Sequence, residues 1–323
     1  MTGRPVYLVD GARTPFLKAR GKPGPFTPVD LSVQCGRPLL TRQPFDRRAF
    51  DLVILGCVNV IADEMNLARV ADLRLGLGDA MVAFTMQINC GSGMQSIDTA
   101  YRYIRDGHHD LILAGGTEAL SHTPLTLREE AVEWYAGLGR AKGPVDMARA
   151  MTGLKPDFFK PVIGLERGLT DPITDLNMGQ TAEVLAYRFD ISREDADAYA
   201  LQSHQRLAEA QREGWLAGEV EPAFDADGGL HDHDDGVRPD NSMEDLGKLK
   251  PAFEKPYGSV TAGNASQITD GASWVILASE KAVEEHGLEP LAKVADSEWA
   301  ALDPAIMGLG PVMAVTPMMQ RHE

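Results

Sequence analysis

Short apolar runs separated by helix-length stretches set the strongest limit on the architecture of this chain. Val6-Tyr7-Leu8-Val9, Asp51-Leu52-Val53-Ile54-Leu55-Gly56 and Asp110-Leu111-Ile112-Leu113-Ala114-Gly115-Gly116 each read as a strand, and the segments between them carry helical periodicity. Strands alternating with helices argue for an α/β domain built in layers. The pattern changes in the middle of the chain. Over roughly 125–257 the sequence is polar and broken by Gly and Pro. One strong helical pattern stands out there, over 192–213, opened by a capping box of Ser192 and Asp195. This stretch is expected to be an inserted loop or cap domain. Residues 259–285 then return to a strand, a Gly-rich turn, the run Trp274-Val275-Ile276-Leu277-Ala278 and a helix. The first domain is therefore expected to combine 1–124 with 258–289.

A length of 323 residues suggests about two domains, and 44% hydrophobic residues supply substantial cores. The formal charge of −16 argues against general nucleic-acid binding, which needs basic surface to displace counterions. An anionic ligand would need a local basic patch. Cys35, Cys57 and Cys90 are too few and too scattered for a disulfide framework or a four-ligand zinc site, which points to a reducing compartment. The N-terminus lacks the apolar region of a secretory signal and no run reaches membrane-spanning length, so a cytoplasmic location is expected.

Cys90 is the candidate nucleophile. In Gln87-Ile88-Asn89-Cys90-Gly91-Ser92-Gly93-Met94 a thiol stands where a buried strand is expected to turn into a helix, with apolar residues following at Met94, Ile97, Tyr101 and Ile104. On the first helical turn it would meet unpaired backbone N–H groups and the positive end of the helix dipole, both of which favour a thiolate. The other reading is a small, buried, inert cysteine, and spacing alone does not choose between them. Cys35 and Cys57 read as packing residues. His231-Asp232-His233-Asp234-Asp235 has metal-ligand residue types but no zinc or EF-hand spacing, and reads as a solvated loop. Gly115-Gly116 lacks the GxGxxG pattern of a dinucleotide site and fits close packing near Cys90 better. His122 has no orienting partner in its local sequence and is a weak candidate for a base.

Seven motifs occur in series: GARTPF from Gly11, INCGSGMQS around Cys90, AGGTEALSHTP from Ala114, GLTDPITDLNMGQTAE from Gly168, DDGVRPDNS from Asp234, KLKPAF from Lys248 and SVTAGNASQITDGAS from Ser259. Together they resemble a thiolase over nearly the whole chain, and the pieces after Asp234 resemble the 3-ketoacyl-CoA thiolase and acetyl-CoA acetyltransferase branch. NASQITDGA and KLKPAF argue against the related ketosynthases. The resemblance implies the thiolase fold, with two related α/β half-domains in a five-layer sandwich and a loop domain inserted in the first. It implies that Cys90 attacks the keto carbon of a 3-ketoacyl-CoA, and that coenzyme A is a substrate rather than a resident cofactor. The reverse direction is a Claisen condensation of two acyl-CoA molecules. By the same resemblance, Met178 and Gly179 line a pantetheine channel, Ser266 hydrogen-bonds the pantetheine arm, and Arg238 lies near the nucleotide end of CoA. A planar guanidinium suits phosphate or an adenine face. Asn177 departs from the family, which often has histidine there. The resemblance also implies a homo-oligomer, dimer or tetramer.

Thiolases carry further motifs beyond the point that matches Gly308-Leu309-Gly310-Pro311: a Gly-His-Pro segment with the activating histidine, and a second cysteine that acts as acid and base. This sequence runs to Glu323 without them. Residues 290–323 are therefore expected to be a stub of the second half-domain, with the missing parts lost by truncation or frameshift or supplied by a complementing chain. Activity of the 323 residues alone is expected to be impaired. The alternative is a non-catalytic remnant that binds CoA or oligomerises.

Overall fold

The computed structural model describes residues 3–323. It divides into two compact units, one running through His122 and resuming at Gly179, the other Thr123–Met178. In the larger unit β1 (Val6–Arg13) and the short β2 (Leu17–Lys18) lead to α1 (Pro28–Thr41). Thr27 caps α1 through a capping box with Asp30, and Pro28 occupies its first turn, where no N–H is needed. β3 (Leu52–Gly56), α2 (Leu67–Leu75), β4 (Ala83–Met86), α3 (Ser92–Arg105) and β5 (Leu111–Ala119) follow as the expected strand and helix alternation.

The smaller unit contains a two-stranded ribbon of β6 (Leu125–Thr126) and β7 (Val162–Ile163) with α4 (Glu129–Gly139), α5 (Pro144–Met151) and α6 (Gly164–Gly168). Its buried apolar side chains are Ala131 and Phe158. A helix α7 (Met178–Arg188) leads back to the larger unit. The helix expected from the capping box is α8 (Arg193–Arg212), with Ser192 as its cap and Asp195 closing the box. A ribbon of β8 (Ala223–Phe224) and β9 (Leu230–His231) and the short α9 (Met243–Gly247) follow.

β10 (Thr269–Ser279) then enters the main sheet, followed by α10 (Glu280–His286), β11 (Ala292–Lys293) and α11 (Gly310–His322). The strand order is β11-β1-β10-β5-β3-β4, with β2 beside β10. β3, β4 and β5 are parallel, whereas β10 is antiparallel to both β1 and β5. The expected strand near Ser259 is absent. Residues 259–268 form a turn-rich loop, because the Asn264 side chain accepts from the Thr261 N–H and donates to the Ser259 carbonyl, satisfying locally what a ladder would satisfy.

Alternate residues of each strand feed two cores, as the two-residue period requires. Val53, Leu55, Leu113, Trp274 and Ile276 pack under α1 and α2 with Val29, Leu39 and Leu75. Leu52, Ile54, Ile112, Ala114 and Leu277 face the other way and meet Ala100, Tyr101 and Ile104 of α3. The result is a helix–sheet–helix sandwich. Each fully buried large side chain contributes on the order of 1.5–3 kcal/mol of transfer free energy. Trp274 is fully buried, and its indole N–H donates to the Ser32 carbonyl at 2.8 Å, so its polar atom has a partner.

Candidate active site

Cys90 is exposed and lies between β4 and α3. Two expectations need correction. β4 is the half-buried edge strand of the sheet rather than a buried one, since among the described residues no strand lies beyond it. Cys90 also precedes the helix: Gly91 is the N-cap and Ser92 the first helical residue. The cause is Asn89, held in the left-handed region at φ 45°, which turns the chain sharply before α3 can begin. The turn is closed by Gly91 N–H to the Ile88 carbonyl at 3.1 Å and by Ser92 Oγ, which donates to the Asn89 carbonyl and accepts the Ile88 N–H at 2.9 Å. Gly91 has no side chain to cap the helix, so Cys90 stands just outside an uncapped, electropositive helix start.

Glycines bring that helix start down onto the sheet. A Cβ on Gly56 would lie 2.4 Å from the Ser92 carbonyl, and one on Gly116 would lie 3.1 Å from the Gly93 Cα. Of the Gly-Gly pair that ends the apolar run of β5, Gly116 thus serves close packing beneath the Cys90 turn. Gly115 leaves room instead for β10, where a Cβ would meet the Ser273 carbonyl at 2.2 Å.

Sequence reasoning missed Glu118. Its carboxylate accepts the N–H groups of Val58 and Asn59 at 3.0 and 3.1 Å, and the Val58 carbonyl in turn accepts from Gln87 Nε2 at 3.0 Å, three residues before Cys90. Burial is the largest influence on this carboxyl and pushes it above the usual range. An acidic residue two positions beyond the apolar run of β5 was the available signal. Burial, followed by the nearby Glu118 charge, also raises the Cys57 thiol, and burial pushes Cys35 up to about 12, so both are poorly suited to nucleophilic attack.

β3, β4 and β5 end on the same side of the sheet as the Cys90 turn, and β10, antiparallel to β5, begins there directly after Ser266, Gln267 and Ile268. Ser266 is exposed, and its hydroxyl donates to the Gln267 carbonyl at 3.2 Å. Gln267 Nε2 donates to the Gly236 carbonyl at 2.6 Å, which ties this loop to the one carrying Arg238. Arg238 is exposed, and its backbone N–H donates to His204 Nδ1 of α8 at 3.2 Å. Gly179, in the first turn of α7, lies against the Phe253 ring, with 2.1 Å left for any added Cβ. Met178 begins α7, half-buried, its N–H donating to the Leu169 carbonyl at 3.1 Å. The loops carrying Ser266 and Arg238 are thus tied together through Gln267 and Gly236, and Gly179 packs against Phe253 of the KLKPAF motif.

The remaining motifs hold these loops in position. Arg13 of GARTPF makes a bidentate ion pair with the buried Asp234 of DDGVRPDNS at 2.8 and 3.0 Å, and the Phe16 N–H donates to the same carboxylate at 2.7 Å. Thr14 exchanges two hydrogen bonds with Ala272, one through its hydroxyl. Asp197 of α8 accepts from Asn264 at 2.9 Å and pairs with Arg193, whose guanidinium also reaches the Leu246 carbonyl. His122 is occupied by the Gly24 carbonyl at 3.0 Å. His231 faces Asp225 at 3.0 Å, and among the described residues no group of three acidic, histidine or cysteine side chains could hold a metal.

Residues 6–281 match the family described as "Thiolase, N-terminal domain". The chain belongs to the thiolase family. It is 38% identical over 323 residues to the beta-ketoadipyl-CoA thiolase of Pseudomonas aeruginosa, covering 98% of this chain and 77% of that one. It is also 38% identical to the mitochondrial 3-ketoacyl-CoA thiolase of Rattus norvegicus, covering 98% of this chain and 76% of that one. Human mitochondrial 3-ketoacyl-CoA thiolase in complex with CoA superposes with a TM-score of 0.84 at 36% identity, over 97% of this chain and 74% of that one. The α/β thiolase fold implied by the motif series is matched over 76% of the human mitochondrial 3-ketoacyl-CoA thiolase chain. Among the described residues it has one main sheet between helix layers rather than both half-domains of the expected five-layer sandwich. The family's activity class is acyl transfer of the thiolase type. No helix among the described residues is long and apolar enough to cross a membrane.

Proposed function

We propose that this thiolase-family chain uses Cys90 to take an acyl group from a 3-ketoacyl-CoA, in the direction of fatty-acid β-oxidation or its reverse. The observation that carries the reading is the exposed thiol at the uncapped start of α3, on the side of the sheet where the Ser266 loop enters β10. The Cys90 sulfur attacks the keto carbon, and the bond between that carbon and the α-carbon breaks. The electron pair leaves on the α-carbon as the enolate of acetyl-CoA, which takes up a proton. The acyl thioester then passes to the thiol of a second CoA, so one thioester replaces another at little energetic cost. Met178, Gly179, Ser266 and Arg238 are assigned to CoA: Met178 and Gly179 to the pantetheine channel, Ser266 to the pantetheine arm, Arg238 to the nucleotide. The same reading takes 1–124 with 258–289 as the nucleophile half-domain, 125–257 as its inserted loop and 290–323 as the start of the second half-domain. It also includes a cytoplasmic homo-oligomer.

Full turnover needs a base for Cys90 and an acid for the enolate. Cys35 and Cys57 are buried with raised pKa values, which leaves Cys90 the one exposed thiol in the sequence. Neither Cys35 nor Cys57 is therefore assigned as the acid–base partner of Cys90. The 323-residue chain is expected to form acyl-Cys90 from acetoacetyl-CoA but to turn over little. Peptide mass spectrometry after incubation with acetoacetyl-CoA checks the first point, and an assay of CoA-dependent cleavage checks the second. Acetyl found on another residue would overturn the nucleophile assignment. Rapid cleavage by the chain alone would overturn the expected impairment of turnover.

A further inference from the structure

The loop that carries Arg238 is fixed firmly at both ends and held in between by one side chain. At its start Asp234 is gripped by Arg13, the Asp235 N–H donates to the Phe16 carbonyl at 3.1 Å, and the Gly236 carbonyl accepts from Gln267. At its end Ser242 caps α9 by accepting the Asp245 N–H at 3.2 Å. Across 237–241 the long-range hydrogen bond found among the described residues is Arg238 N–H to His204 Nδ1, and the turn is completed locally by Asn241 N–H to the Arg238 carbonyl at 3.3 Å. An imidazole accepts at Nδ1 only as the neutral ring with its proton on Nε2. Burial first, and the Arg238 charge second, lower the His204 pKa and favour the neutral ring, and the Arg238 N–H selects the tautomer with Nδ1 open. Half-buried on α8, whose first turns are anchored through Arg193 and Asp197 two to three turns back, His204 has a fixed platform from which to hold the loop.

We propose that His204 is a positioning residue for Arg238, holding the backbone from which the guanidinium meets the nucleotide end of coenzyme A. The proposal rests on the reading of Arg238 as a CoA contact. Without the acceptor, 237–241 is free to move between its two anchors, and binding has to order it along with the guanidinium. One hydrogen bond of this kind is worth on the order of a two- to ten-fold change in affinity.

The test is CoA affinity by isothermal titration calorimetry, at mildly alkaline pH, for the full 323-residue chain and four variants. His204→Leu removes the acceptor, with His204→Ala in its place where leucine disturbs α8. His204→Asn keeps an oxygen near the position of Nδ1, Arg238→Ala removes the guanidinium, and the fourth variant combines His204→Leu with Arg238→Ala. We expect His204→Leu to weaken CoA binding about five-fold. His204→Asn should stay within about two-fold of the parent, and His204→Leu should add little in the Arg238→Ala background, where the group it positions is gone. A His204→Asn loss equal to that of leucine, or an undiminished leucine effect without Arg238, would overturn the proposal. So would an unchanged affinity in His204→Leu while Arg238→Ala weakens binding. An Arg238→Ala variant that binds CoA as the parent does would remove the CoA reading of Arg238 itself, an outcome separable from failure of the His204 link.

Discussion

The two units of the molecule treat their side chains in opposite ways. In the larger unit, Arg4, Arg13, Arg42, Arg69, Arg102 and Arg193 each pair with a carboxylate, and two apolar cores lie on either side of the sheet. In the smaller unit Ala131 and Phe158 are the buried apolar residues, and Leu125, Val145, Phe159 and Ile173 are exposed. Lys160 pairs with Asp157, whereas Arg140, Lys142, Arg149, Lys155 and Arg167 have no ion pair among the described residues. Charge pairing alone does not explain the contrast, since exposed pairs contribute little. Burial does. A unit with few buried side chains opens locally at low cost, so the larger unit supplies fixed geometry and the smaller one adapts.

Removing one core side chain from each unit should sharpen the contrast most. Trp274→Ala is expected to cost about 3–5 kcal/mol in a urea titration of the whole fold. Phe158→Ala should leave that main transition nearly unmoved and raise amide exchange within 123–178. Comparable losses from the two would break the distinction. Next comes the glycine seam: Gly116→Ala pushes a methyl into the Gly93 backbone and is expected to cost about 1–3 kcal/mol. It should also slow acylation of Cys90, measured by stopped quench, because the helix start is displaced.

Smaller effects follow from titration. With limiting iodoacetamide near neutral pH, Cys90 should react first, since burial holds Cys35 up at about 12 and also raises Cys57. Label appearing first on either buried thiol would mean that the larger unit opens as readily as the smaller. The least effect is expected at the C-terminus, where Asp296, held down to about 2 by Arg321 with help from His322, tethers α11. Its folded pKa lies below that of an ordinary aspartate, so its contribution is present above the ordinary range and is lost as pH falls toward about 2. Amide exchange in α11 should rise over that window while the sheet stays protected.

The sequence made visible what local chemistry determines. β3 and β5 stand out because both faces are buried and the run is continuous, and the start of α8 stands out because the capping box is complete within four residues. The exact seat of Cys90 was hidden, since it depends on Asn89 adopting a conformation that its neighbours impose. Partnerships across the chain were hidden for a different reason. Arg13 and Asp234 are 221 positions apart, and nothing local in either motif names the other. His204 sat inside a plain helical pattern, with no sign that a loop would come to rest on its ring. Motif order thus revealed the family, while the hydrogen bonds that tie one motif to another, such as Arg13 to Asp234 and Gln267 to Gly236, appeared only in the fold.

The place of β10 has a consequence for how such a chain is made. It lies between β1 and β5, antiparallel to both, although it follows them by more than a hundred and forty positions. Until Thr269–Ser279 has left the ribosome, the growing sheet has a gap at its centre, and β1 and β5 each offer an open ladder edge. Synthesis of this one strand closes both edges together and seats the Trp274 ring in the core. A pause before that moment would leave the nascent chain open to pairing with its neighbours, and release just after it would allow the sheet to zip shut.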